Sequence, residues 1–227
     1  MKDIKSHTRI IDSITGPHEK KLLVWIAERL PTWVTPNMMT GLGVLGAVII
    51  FLGYILCNIH PAFLWLASFG FFVNWFGDSL DGTIARVRDI QRPKFGFFID
   101  HTVDSFNIVL LFLGIGFSPF VHFSLAMIAL IGYMQLSILV YIRTAVKGEF
   151  KISYGLLGAT EARILAIMAN TLVFFLGNPI FVLLGYTLSA YDLFASFVAI
   201  LLFSMFFASS YTQAREIAAL EKENKLN

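Results

Sequence analysis

Four aspartates carry most of the chemistry this chain can offer. Asp78 and Asp81 are spaced i, i+3 and Asp100 and Asp104 i, i+4, so each pair shares one face if its segment is helical. Clustered carboxylates repel in a low-dielectric site unless a positive charge sits between them. A divalent cation supplies that charge. An all-oxygen donor set without a His or Cys pair selects hard ions such as Mg²⁺, Mn²⁺ or Ca²⁺, which in turn bind phosphates. Gly82 and Ala85 lie one turn apart and leave room for a bulky group on the helix, while Arg86 is placed to reach a phosphate. The stretch from Asp78 to Asp104 therefore predicts a metal-bound diphosphate site.

The elements around this stretch are apolar. Hydrophobic residues make up 57% of the 227 and charged residues only 14%, which points to an integral membrane protein. Residues 30–77, 105–142, 164–191 and 193–214 contain no Asp, Glu, Lys or Arg. A pass takes roughly 20 apolar residues, so the first two runs hold two passes each and the last two hold the remaining pair. The expectation is an all-α bundle of six transmembrane helices. All 17 Lys and Arg then fall on one side, before the first helix, in the loop Arg86 to Lys94, around Arg143 to Arg163, and after Arg215. Short loops rich in Lys and Arg stay cytosolic, which puts both termini and the aspartate-bearing loop in the cytosol. This one-sided charge suits anionic headgroups and phosphate compounds, and nucleic acid is not implied.

The N-terminal MKDIKSHTRI is polar, so no cleaved targeting peptide is expected. Residues 18–30 mix Leu22, Trp25, Ile26 and Leu30 with Lys20, Lys21 and Glu28, the pattern of a juxtamembrane amphipathic helix. Pro31 and Pro36 break the chain before the first span, and Gly43 and Ala47 have the spacing for close helix approach. Asn37 or Thr40 at the cytosolic mouth could also touch a ligand. The expected domains are a cytosolic tail and juxtamembrane helix over 1–34, a catalytic membrane bundle over 35–215, and a cytosolic helical extension over 216–227. Asp104 falls about 12 Å in from Gly96 along a helix rising 1.5 Å per residue, a depth at which a carboxylate needs a partner or a wet cavity. The one cysteine, Cys57, rules out an internal disulfide and reads as a packing or lipid-facing residue.

DSLDGTIARVRDIQRPKFGFFIDHTVD resembles the signature of the CDP-alcohol phosphotransferase family, D-x2-D-G-x2-A-R, a short spacer, then G-x3-D-x3-D. All eight defining positions are present: Asp78, Asp81, Gly82, Ala85, Arg86, Gly96, Asp100 and Asp104. The spacer between Arg86 and Gly96 is one residue longer than the commonest form. The resemblance implies transfer of a substituted phosphate from a CDP-linked donor to an acceptor hydroxyl, with release of CMP. It implies that Asp78, Asp81 and Asp100, with Asp104, ligate Mg²⁺ or Mn²⁺, and that Asp78, Asp81, Gly82, Ala85, Arg86 and Gly96 form the CDP site. Asp104 would deprotonate the attacking hydroxyl. A homodimer is implied in the same way.

His101, in DHTVDS, resembles the DHGCDS stretch of eukaryotic choline and ethanolamine phosphotransferases and either shares the base role or packs on a neighbouring face. Arg143, Glu161 and Arg163 are candidates for reading the acceptor, with Lys147 and Lys151 as ordinary positive-inside anchors. The motif reads the CDP half of the donor and leaves two options: CDP-diacylglycerol with a polar acceptor, favoured by the compact chain, or CDP-choline or CDP-ethanolamine with a lipid acceptor. Two other classes compete with an enzyme of phospholipid synthesis: a carboxylate-based ion transporter and a non-catalytic scaffold. Transporter sites favour the midplane at broken helices rather than one basic loop.

Overall fold

A computed structural model describes residues 16–147, 158–183 and 185–226. The polar tail expected over the first fifteen residues and the loop containing Lys151 lie outside them. Seven helices follow in order: α1 Gly16–Arg29, α2 Pro36–Leu56, α3 Phe63–Val87, α4 Pro93–Phe117, α5 Phe123–Lys147, α6 Ala159–Leu176 and α7 Ala190–Leu226. Between α6 and α7 an antiparallel hairpin pairs β1 Ile180–Leu183 with β2 Tyr186–Ser189, Ile180 opposite Ser189.

That hairpin is the one departure from helix among the described elements of a chain expected to be all-α. IFVL and YTLS are short runs of β-branched, aromatic and aliphatic residues, and Gly177 (φ +72°) and Gly185 (φ +82°) supply the left-handed backbone that turns the chain at either side.

Of the six expected passes, five meet the length and apolarity a pass needs among the described residues. Five helices, α2, α4, α5, α6 and α7, are long and apolar enough to cross a bilayer. The 25-residue α3 is not among them, because Asn74, Asp78, Asp81 and Arg86 interrupt its apolar run. It is instead the central helix of the fold, packed against α1, α2 and α6. The remaining contacts run in a chain, with α4 against both α2 and α5, and α5 against α7.

The α2–α3 interface is where backbone meets backbone. A Cβ placed on Gly77 would fall 2.5 Å from the Met39 carbonyl and onto the backbone of Gly43, and one on Gly53 would fall 2.6 Å from the amide of Ala67. Small residues at this spacing let two helices approach to van der Waals contact of their main chains. One cluster around this contact joins Ile50, Tyr54, Leu64, Ala67 and Phe71 to Val173 on α6. A second joins Leu23 and Ala27 of α1 to Leu80 and Ile84 of α3. Tyr54 donates to Asn170 Oδ1 at 2.9 Å and Asn170 donates to Ser68 at 3.1 Å, tying α2, α6 and α3 by buried side chains.

Two local devices fix the ends. Thr35 caps α2, its Oγ1 accepting from the Met38 amide at 3.3 Å, with Pro36 in the first turn. Arg88 holds the elbow before α2: its guanidinium donates to the carbonyls of Leu30, Pro31, Thr32 and Val34. At the far end, Asp192 is 1% exposed and accepts from the amides of Ser189 and His122, while its own amide donates to Ser189 Oγ at 3.0 Å. This reciprocal cap starts α7, and the His122 ring, 2.7 Å from the same carboxylate, anchors the head of α5 to it. Cys57 packs in the core.

Candidate active site

The glycine contact between α2 and α3 sets the first half of the site. It brings Thr40 of α2 beside Asp81 of α3, where Thr40 Oγ1 donates to Asp81 Oδ2 at 2.8 Å. One turn earlier Asp78 accepts from Arg163 of α6 at 2.6 Å, and the same guanidinium donates through Nε to Asn74 Oδ1 at 3.0 Å. Asn74 in turn donates to the Gly43 carbonyl at 2.9 Å. Arg163 is therefore built into a three-helix junction, with only 15% of its side chain exposed.

The second half stands on α4. Asp100, His101 and Asp104 present ligand atoms that all lie within 4.8 Å of one another, so all three, rather than the two carboxylates alone, can share a cation. The His101 ring sits edge-on to Phe97 at 4.3 Å and to Tyr141 of α5 at 5.7 Å. Ser105 Oγ donates to the His101 carbonyl at 2.8 Å. Tyr133 stands on α5 two turns before Tyr141, and Ser137 Oγ donates to the Tyr133 carbonyl at 3.1 Å. The two halves share α2 as a neighbour, which packs against both α3 and α4.

The remaining predicted residues divide. Arg86 folds back over its own helix, donating to Thr83 at 3.0 Å, and a Cβ on Gly82 would meet that guanidinium at 3.1 Å. Ala85 is half-buried beside it, and a Cβ on Gly96 would meet nothing within 4 Å. Glu161 is turned back onto its own helix start, accepting from the Gly158 amide at 2.9 Å. Arg143 faces α7, 3.9 Å from Glu216, with its buried Nε lacking a hydrogen-bond partner among the described residues. Asn37 forms no part of the junction that Thr40 makes with Asp81.

Sequence reading missed Asn74, Tyr133 and Tyr141. Asn74 did carry a signal, a polar residue in an apolar helix one turn before Asp78. The tyrosines carried none, since aromatic residues are common throughout the chain.

These donors fit a divalent cation. The two α4 carboxylates with one imidazole suit Mg²⁺ or Mn²⁺, while Asp78 and Asp81 of α3 accept from Arg163 and Thr40. The chemistry on offer is phosphate binding beside a possible proton acceptor.

A sequence model of CDP-alcohol phosphatidyltransferases matches residues 33–208, which contain every residue of this site. Among characterised proteins, the CDP-diacylglycerol–serine O-phosphatidyltransferase of Encephalitozoon cuniculi is 32% identical over 170 residues, 69% of this chain and 42% of that protein. Cholinephosphotransferase 1 of Xenopus laevis is 32% identical over 108 residues, 45% of this chain and 27% of that protein. The phosphatidylinositol phosphate synthase of Cutibacterium acnes is 34% identical over 82 residues, 36% of this chain and 37% of that protein. The chain spans less than half the length of each of these three.

Proposed function

This chain belongs to the CDP-alcohol phosphatidyltransferase family, and from that premise we propose that it transfers a substituted phosphate from a CDP-linked donor to an acceptor hydroxyl. The acceptor oxygen bonds to the donor's alcohol-bearing phosphorus, the bond from that phosphorus to the bridging oxygen breaks, CMP leaves, and the hydroxyl proton passes to a side chain. The observation that supports this reading is the Asp100, His101 and Asp104 trio on α4, whose ligand atoms lie within 4.8 Å of one another inside the segment that the family model matches.

Each residue's part follows from its position. Asp78, Asp81 and Asp100 would hold a divalent ion, Mg²⁺ or Mn²⁺, with Asp104 completing its shell. When bound, the ion would neutralise charge on the diphosphate and on departing CMP. Thr40 and Arg163 orient the α3 carboxylates by donating to them. Gly82, Ala85 and Gly96 would admit cytidine, with Arg86 near the phosphates. Asp104 accepts the acceptor's proton, with His101 able to share that role at its edge. Of the acceptor-reading candidates, Arg143 is favoured: Arg163 is engaged by Asp78 and Glu161 by its helix start.

We favour CDP-diacylglycerol as donor, supported by the serine phosphatidyltransferase relative aligned over 69% of the chain. The aminoalcohol alternative, CDP-choline or CDP-ethanolamine with diacylglycerol accepting, is supported by His101 in the α4 cluster and by the cholinephosphotransferase relative. The proposed setting is a bundle over 35–215 in which α3 makes the sixth pass, α1 lies at the membrane surface, both termini and the active site are cytosolic, and two copies pair. A carboxylate-based ion transporter would release no CMP. The test is purified protein offered CDP-diacylglycerol with serine, glycerol phosphate, inositol or inositol phosphate, and CDP-choline or CDP-ethanolamine with diacylglycerol. CMP formation would be scored with and without Mg²⁺ or Mn²⁺. Metal-dependent CMP from one pairing is the expected result, and none from any pairing would overturn the reading.

A further inference from the structure

The helix before the bundle reaches into the site's framework through one carboxylate. Glu19 Oε1 of α1 accepts from Trp75 Nε1 at 2.7 Å and Ser79 Oγ at 3.4 Å, both on α3, and from Thr160 Oγ1 at 2.9 Å, on α6. These donors bracket the ion pair that joins the same two helices. Trp75 and Ser79 flank Asp78, and Thr160 stands one turn before Arg163, whose guanidinium lies 2.6 Å from Asp78. Thr160 is also in the first turn of α6, where the unpaired amides and the helix dipole favour a carboxylate. Beneath this tie, Leu23 and Ala27 of α1 pack on Leu80 and Ile84 of α3, so Glu19 is held on a fixed helix.

We propose that Glu19 is a positioning residue for the transfer reaction: it locks the start of α6 to α3 and thereby sets Arg163 against Asp78 and Asn74. Without the tie, Arg163 keeps the remaining side-chain hydrogen bonds between α6 and α3 at this end among the described residues, and Asp78 loses a defined orientation. The inference rests on the proposed role of Asp78, and its action is on geometry rather than on substrate.

Four variants of the purified full chain, Glu19→Gln, Glu19→Ala, Arg163→Ala and the Glu19→Ala/Arg163→Ala double, would be compared for CMP release and for hydrogen–deuterium exchange across residues 158–165. Gln keeps a carbonyl oxygen for Trp75, and the hydroxyls of Ser79 and Thr160 can turn to meet its amide. Glu19→Ala is expected to lower kcat/KM by about tenfold or more, within the roughly hundredfold that a misplacement of about 1 Å can cost. It should also speed exchange at the first turn of α6. Glu19→Gln should restore most of both. The double variant should be no slower than Arg163→Ala, because residues acting through one another are not additive. Multiplied losses in the double variant, or unchanged exchange in Glu19→Ala, would overturn the proposal. An absence of CMP release in the unmodified protein would instead sink the proposed reaction while the exchange measurement still tests the tie.

Discussion

Asp104 and Asp81 make separable predictions at the residue scale. If Asp104 takes the acceptor's proton, Asp104→Asn should cut turnover by about 10²- to 10⁴-fold, the usual worth of a positioned base, while leaving the protein's detergent melting temperature nearly unchanged. Thr40→Val removes the 2.8 Å hydrogen bond to Asp81 and should cost several-fold in kcat/KM, in line with roughly 1 kcal/mol for one such bond. Burial pushes the Cys57 thiol up to about 11, and its side chain lies in the core at 4% exposure. The thiolate is the reactive form, so maleimide labelling at pH 7 to 9 should be slow in the folded protein and fast after denaturation. The aspartates and Arg86 were legible from their spacing along one or two helical turns. The Arg163–Asp78 pair was not: its partners are 85 residues apart, and only the packing of α6 on α3 brings them together.

Helix approach decides the next scale. Gly77→Ala would drive a Cβ into the Met39 carbonyl and the backbone of Gly43, which can give only if α2 and α3 separate. The expected cost is about 1–3 kcal/mol, read as a lower melting temperature in detergent, with loss of CMP release because Thr40 and Asp81 part company. Gly41→Ala, where a Cβ would meet nothing within 4 Å, is the matched control and should be neutral or mildly stabilising. The start of α2 was readable because its signal is local, Pro36 just after Thr35, whereas α4 begins at Pro93, three residues before the Gly96 from which its depth was reckoned. The hairpin at 180–189 was hidden by its brevity, since an apolar run of four residues has no period long enough to separate strand from loop. In α3 the polar residues lower the apolarity, and Asp78 and Asp81 among them are held by Arg163 of α6 and Thr40 of α2.

The molecule as a whole joins a cluster of polar residues to apolar helices that hold it in place. The distribution of Lys and Arg carries the proposed sidedness, and the eight signature positions pointed to the family, because both are properties of the chain's order. What the order could not convey is the way α1, α3 and α6 are fastened through Glu19, Arg88 and Arg163, which are contacts between distant segments. A single experiment bears on the central claim that α3 and α4 share one divalent ion. Mn²⁺ binding would be measured by electron paramagnetic resonance on purified wild-type protein and on Asp81→Asn and Asp100→Asn. The account predicts that each variant, though altered on a different helix, loses at least about tenfold in affinity, about 1.4 kcal/mol. Unchanged Mn²⁺ affinity in either variant would contradict it.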